Sequence, residues 1–167
     1  MNYRERKQGV ANLNIESKNY LFPSDSPEQT QQFAERLASL LGPGDVIALE
    51  GDLGAGKTTF TQGLAKGLGI KTVVNSPTFT IIKEYQGILP LYHMDVYRVD
   101  DEFEELGFDE YLYGEGITVV EWASMIRSVL PPVLLEICIK RTAGDSREVQ
   151  VTAHGDHFIS VCEELIG

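Results

Sequence analysis

The run Gly51-Asp52-Leu53-Gly54-Ala55-Gly56-Lys57-Thr58 constrains this chain more than any other feature, because it asks for a strand, a tight loop and a helix in that order. It satisfies the pattern Gly-x-x-x-x-Gly-Lys-Ser/Thr in full. Small residues at Gly51, Gly54, Ala55 and Gly56 let successive backbone N–H groups converge on one anion, and the following helix adds its positive end. The flanks agree: Val46-Ile47-Ala48-Leu49 is a short apolar strand, and Phe60, Leu64 and Leu68 recur at helical spacing. The chemistry expected is binding of a purine nucleoside triphosphate with Mg²⁺. Backbone from Asp52, Leu53, Gly54, Ala55 and Gly56 surrounds the phosphates, Lys57 meets the β and γ phosphates, Thr58 coordinates Mg²⁺ and Thr59 donates on the α-phosphate side.

Hydrolysis asks for more, since the cation must be held and a water aimed. Three stretches compete for those tasks. In Ser76-Pro77-Thr78 the Thr78 hydroxyl is a ligand for Mg²⁺ or merely a strand cap. Leu91-Tyr92-His93-Met94-Asp95 ends a strand-like run in a carboxylate, so Asp95 is either a metal-side acid of a degraded Walker B segment or a solvated strand terminus. His93 reads as an ordinary hydrogen-bonded side chain rather than a metal ligand. In Val119-Val120-Glu121-Trp122, Glu121 suits water orientation or the metal, while Trp122, the single tryptophan, packs by the nucleotide, under a switch segment or in the core. The sequence does not divide the roles of Asp95 and Glu121. His154 and His157 show no partner pattern and are expected at the surface.

Along the chain, Ser26-Pro27-Glu28-Gln29 is a helix start, with Ser26 as cap, Pro27 at the first position and Gln29 closing a capping box. Phe33, Leu37 and Leu40 continue that helix until Gly42-Pro43-Gly44. Residues 78–85 and 88–96 flank Gln86-Gly87 as a hairpin, 117–120 is a strand, 123–130 a helix, 133–140 and 147–153 late strands, and 156–166 a closing helix. Residues 100–115 are acidic with aromatic anchors, expected as short, partly helical surface pieces. No repeat divides the chain. The fold class expected is α/β: a P-loop NTPase fold, one three-layer domain over residues 19–167 with a mostly parallel sheet and an antiparallel portion, after a flexible extension at 1–18.

The 25 acidic residues outnumber the 14 basic ones for a net charge of -11, which argues against autonomous binding to bulk nucleic acid, whose phosphates need a basic footprint. RNA chemistry inside a complex whose partner supplies the positive surface is still open. Cys138 and Cys162 lack zinc-type spacing and are expected as small buried hydrophobes; their isolation, with no secretory leader read at the start, sets the expectation of a reducing cytosolic compartment. No stretch has the ~18 apolar residues of a membrane span.

Taken together, Gly51 to Phe60, Ser76-Pro77-Thr78-Phe79, His93-x-Asp95-x-Tyr97-Arg98 and Val120-Glu121-Trp122 resemble the successive motifs of the TsaE (YjeE) family, over roughly residues 19–151. The resemblance implies a cytoplasmic, Mg-dependent ATPase that assists the threonylcarbamoyl transferase TsaD and its companion TsaB, which modify adenosine 37 of tRNAs reading codons that begin with adenosine. ATP hydrolysis then supports repeated modification, and tRNA is held mainly by the partners. By motif, Lys57 and Thr58 serve phosphate and Mg²⁺, Thr78 belongs to a switch-like segment, Asp95 is the metal acid, and Glu121 with Trp122 lies beside the nucleotide. The residues at 100–115 offer a docking surface or a solvated acidic loop. Two other readings stand beside this one. A small nucleotide or metabolite kinase needs an arginine-rich lid, which the dispersed Arg98, Arg127, Arg141 and Arg147 do not suggest; a nucleotide-gated docking module needs no turnover. The lack of an Asn-Lys-x-Asp guanine signature favours ATP.

Overall fold

The computed structural model describes residues 15–52, 54, 56–75, 82–97 and 107–167. The expectations for Leu53, Ala55, Ser76, Pro77, Thr78, Arg98 and the acidic segment at 100–106 lie outside the described residues.

In chain order the elements are β1 (Ser17–Ser24), α1 (Pro27–Ala38), β2 (Val46–Gly51), α2 (Lys57–Gly67), β3 (Ile82–Tyr85), β4 (Leu91–Asp95), α3 (Asp109–Leu112), β5 (Ile117–Glu121), a 3₁₀ segment (Ala123–Val129), β6 (Leu134–Arg141), β7 (Arg147–His154) and α4 (Asp156–Ile166). The strands form one seven-stranded sheet in the order β1-β7-β6-β2-β5-β4-β3. Its centre, β6-β2-β5-β4, is parallel, and β3 on one side and β7 and β1 on the other run antiparallel. This is the mixed α/β arrangement expected.

Strand composition follows position. All of Ile117-Thr118-Val119-Val120-Glu121 is buried, as a central parallel strand covered on both faces requires. In β6 and β7 the pattern alternates instead: Leu135, Ile137, Ile139, Val149, Val151 and Ala153 point to one core, with half-buried polar positions between them. That core is closed by α1, α2 and α4 through Leu37, Phe60, Leu64, Phe158 and Leu165. The opposite face carries a second cluster of Val46, Ala48, Met94, Val120, Leu112 and Ile126 under α3 and the 3₁₀ segment.

Helix α1 starts as its sequence dictates. Ser26 Oγ accepts from the Gln29 N–H at 3.2 Å, and Gln29 Oε1 reaches back past the cap to accept from the Asp25 N–H at 2.8 Å. Its end differs from expectation: the helix stops at Ala38 with Ser39 as C-cap, before Gly42-Pro43-Gly44. Residues 123–129 form 3₁₀ turns broken at Ile126 (φ -124°) rather than an α-helix. Strand β1 has no counterpart in the sequence reading; it takes Ser17 and Lys18 into the sheet, where Lys18 Nζ pairs with Glu163 of α4 at 2.6 Å and holds that carboxyl below its usual range. Cys162 is buried, and burial pushes its thiol up to about 11; Cys138 is only half-buried, which corrects the expectation for it. Among the described residues no helix is long and apolar enough to cross a membrane.

Candidate functional site

The glycine-rich loop leaves the C-terminal end of β2 and enters α2. Gly54 and Gly56 sit at φ 77° and 109°, backbone that L side chains rarely adopt, so glycine is required there. No side chain caps α2 and no acid stands in its first turn, which leaves the positive helix end available to an anion. Arg147 Nη2 donates to the Gly54 carbonyl at 3.3 Å, tying the loop to the start of β7.

Lys57 is 7 % exposed, and its Nζ lies 4.1 Å from the centroid of the Trp122 ring. The ammonium thus rests on a tryptophan face. Tyr97 packs against the same tryptophan, its ring 4.8 Å from that of Trp122. Trp122 has φ 60°, the one positive value among the described non-glycine residues, and this lets the chain swing sharply off the end of β5.

Parallel register gathers the two acids. Asp95 pairs with Glu121, and Glu121 with Leu49, so all three occupy one row of the sheet on the face covered by α2. Glu121 is 3 % exposed, and its Oε2 lies 2.5 Å from Nε2 of the fully buried His93. Asp95 Oδ1 accepts from the Tyr97 N–H at 3.0 Å. Glu50 turns to the opposite face, where its Oε1 accepts from the Ser124 N–H at 3.0 Å and anchors the segment after Trp122. A cleft of about 340 Å³, lined by Gly51, Asp52, Trp122, Ile139, Lys140 and Arg141 among others, opens beside the loop. Cys138 also lines it, but burial pushes that thiol up and disfavours the thiolate a nucleophile needs.

A family model described as "Threonylcarbamoyl adenosine biosynthesis protein TsaE" matches residues 24–149. The chain belongs to the TsaE family. A TsaE-family relative from Bacillus subtilis (strain 168), called "tRNA threonylcarbamoyladenosine biosynthesis protein TsaE", is 59% identical over 141 residues, 84% of this chain and 89% of its own. One of the same name from Treponema pallidum (strain Nichols) is 42% identical over 130 residues, 77% of this chain and 96% of its own. Among solved structures, "Crystal structure of Bacillus subtilus YdiB" superposes with a TM-score of 0.80 at 50% identity, covering 90% of this chain and 95% of that one.

Within this TsaE-family site, then, Lys57 stands by Trp122, and Asp95 by Glu121; Asp52, Gly54, Gly56, Thr58 and Thr59 border the loop, and Thr78 lies outside the described residues. Sequence reasoning gave Tyr97 and Arg147 no contact at the site; His93 is the hydrogen-bonded side chain expected, with Glu121 as the partner that was not named. For His93 a signal was present: alternation puts His93 and Asp95 on one face of β4, and Val119 and Glu121 on one face of β5, so adjacent parallel strands bring imidazole to carboxylate. His157 is exposed and His154 half-buried, and each has a polar neighbour that the sequence did not indicate, Asp45 Oδ2 at 2.9 Å and Ser17 Oγ at 2.7 Å respectively.

Proposed function

We propose that this chain is the ATPase component of tRNA threonylcarbamoyladenosine formation, hydrolysing ATP in the cytoplasm in complex with TsaD and TsaB so that adenosine 37 is modified over many turnovers. The observation that carries this is the meeting of three elements at one end of the sheet. Buried Lys57 stands at the uncapped start of α2 with its ammonium over Trp122, the residue that follows Glu121 of the Asp95–Glu121 row. The relatives' name supports the pathway, and the net charge of -11 supports a partner that holds the tRNA.

The site residues fit a magnesium triphosphate on structural grounds: a helix terminus without an acid suits phosphate, and two carboxylates paired in register at strand ends supply the hard oxygen ligands Mg²⁺ takes. When bound, Mg²⁺ neutralises charge on the β and γ phosphates. Thr58, Thr78, Asp95 and Glu121 are the residues that would hold it. Lys57 leaves Trp122 to meet the transferring phosphate, loop N–H groups fix the chain of phosphates, and Glu121 orients the attacking water.

Reconstitution with TsaB and TsaD tests this. Lys57→Ala is expected to lower ATP hydrolysis by about two orders of magnitude, the scale for removing one charge-stabilising donor, and to stop multiple-turnover modification of tRNA. Undiminished multiple turnover by Lys57→Ala, or with a non-hydrolysable ATP analogue, sinks the proposal.

A further inference from the structure

The His93–Glu121 pair lies beneath the site and the hydrolysis reading does not use the histidine. Both groups are closed off from solvent, His93 at 0% and Glu121 at 3% exposure. The imidazole Nε2 is 2.5 Å from Glu121 Oε2, and its Nδ1 is buried without a partner. An imidazole hydrogen on Nδ1 would have nothing to donate to, so the hydrogen belongs on Nε2, where a carboxylate accepts it. The carboxylate gains the one donor that makes burial tolerable. Among the described residues the side-chain partner of the carboxylate is His93, and it meets Oε2 rather than Oε1.

From this we infer that His93 is a positioning residue for Glu121: its Nε2–H pins Oε2 against the sheet and thereby aims Oε1 at the nucleotide site. The inference deepens the hydrolysis reading and rests on it for its catalytic consequence. Geometry makes the pin rigid. His93 is register partner of Val119 on the neighbouring parallel strand, one inward-facing row below Asp95 and Glu121, so two ladder-bonded strands fix its reach to the carboxylate. A carboxylate without that pin turns about its side-chain torsions and loses the single orientation a water-aiming group needs. Outer partners of this kind hold a ligand or base in place without touching substrate.

Two substitutions of equal polarity separate positioning from mere filling. His93→Gln carries an amide nitrogen to about where Nε2 stands, whereas His93→Asn ends too short to reach Glu121. With TsaB and TsaD present, His93→Asn is expected to lower kcat for ATP by about 10- to 100-fold, the usual cost of losing an outer-sphere partner, with KM little changed; His93→Gln is expected to keep most of the turnover. Circular dichroism and thermal melts establish that both fold. Should His93→Asn fail to fold, His93→Phe, which keeps the ring shape and drops the donor, takes its place with the same expectation. Equal kcat in the Gln and donor-less variants, or a loss confined to KM, overturns the inference.

A second readout needs no activity. Imidazole ¹⁵N spectra of the nucleotide-free protein are expected to show the Nε2–H tautomer for His93 and a shift of that nitrogen in Glu121→Gln. An Nε2 that carries no hydrogen in the folded protein, the hydrogen sitting on Nδ1 alone, also overturns the pin, whatever the fate of the ATPase reading; loss of ATP turnover by the wild type, with Nε2–H intact, overturns that reading and leaves the pin.

Discussion

Lys57 and Trp122 hold each other in a state that a ligand must undo. Left-handed backbone at a bulky residue costs about 1–2 kcal/mol, and Trp122 at φ 60° and ψ 37° bears that cost. What offsets it is contact: the Tyr97 ring at 4.8 Å, the second core cluster beneath, and the Lys57 ammonium at 4.1 Å. A cation over an indole face contributes on the order of 0.5–2 kcal/mol, small beside the interaction of the same ammonium with a triphosphate, so nucleotide can lift it away. Since Trp122 is the single tryptophan, its emission reports that event. Triphosphate is expected to change the emission of the wild type, while Lys57→Met changes the starting emission and removes the response. An unaltered starting spectrum in Lys57→Met would show that the ammonium does not rest on the ring in solution. The motif in the sequence identified Lys57 as a phosphate group, but its resting contact was not legible, because it depends on the chain reversing at Trp122 after β5.

Helix α2 carries the site, and α1 fixes where α2 stands. The two cross so closely that an ideal Cβ on Gly63 would fall 2.4 Å from the Gln31 carbonyl oxygen, and one on Gly67 2.6 Å from the Ala38 Cβ. Within a helix alanine is favoured over glycine by about 1 kcal/mol, yet here the new atom meets backbone rather than a pliable side chain. Gly63→Ala is therefore expected to lose about 1–3 kcal/mol net, the scale of overpacking, in chemical denaturation. Gly42→Ala, where a Cβ meets nothing within 4 Å, is expected to stay within about 0.5 kcal/mol of wild type. Equal stability of the two variants would mean the crossing relaxes freely. At this scale much was readable in advance: the cap at Ser26, the loop-to-helix step, the hairpin of β3 and β4, and the strands ending in Asp95 and Glu121 all follow from local chemistry. The close crossing was not, since Gly63 and Gly67 look like poor helix residues until α1 is laid against them. Nor was β1: Ser-Lys-Asn-Tyr-Leu-Phe-Pro-Ser contains Pro23, tolerated only because the strand lies at the sheet edge.

At the scale of the whole molecule, that edge strand is linked to the site. Strand β1 pairs with β7 along its full length, from Ser17 opposite His154 to Ser24 opposite Arg147, and covers what would be an open edge beside it. Its inward side continues into a row of aromatic contacts: Phe22 lies 4.8 Å from Phe33 on α1, and Phe33 lies 6.4 Å from Phe60 on α2. Lys18 and Tyr20 both bond Glu163, fastening the same strand to α4. The described contacts of β1 thus begin at Ser17, and the strand acts as a strap on α1 and α4, reaching α2 through Phe33. Removal of residues 1–24 uncovers β7 and is expected to give aggregation. Within the strap, side-chain direction decides the outcome. Phe22→Ala withdraws a ring from the aromatic row and is expected to lose about 3 kcal/mol, the low end for a large aromatic because the site is half-buried. Leu21→Ala, one residue away but 60% exposed, is expected to cost no more than about 0.5 kcal/mol. Comparable losses in the two would show that β1 is held by its backbone ladder alone and that the aromatic row does not couple the sheet edge to the helix bearing Lys57.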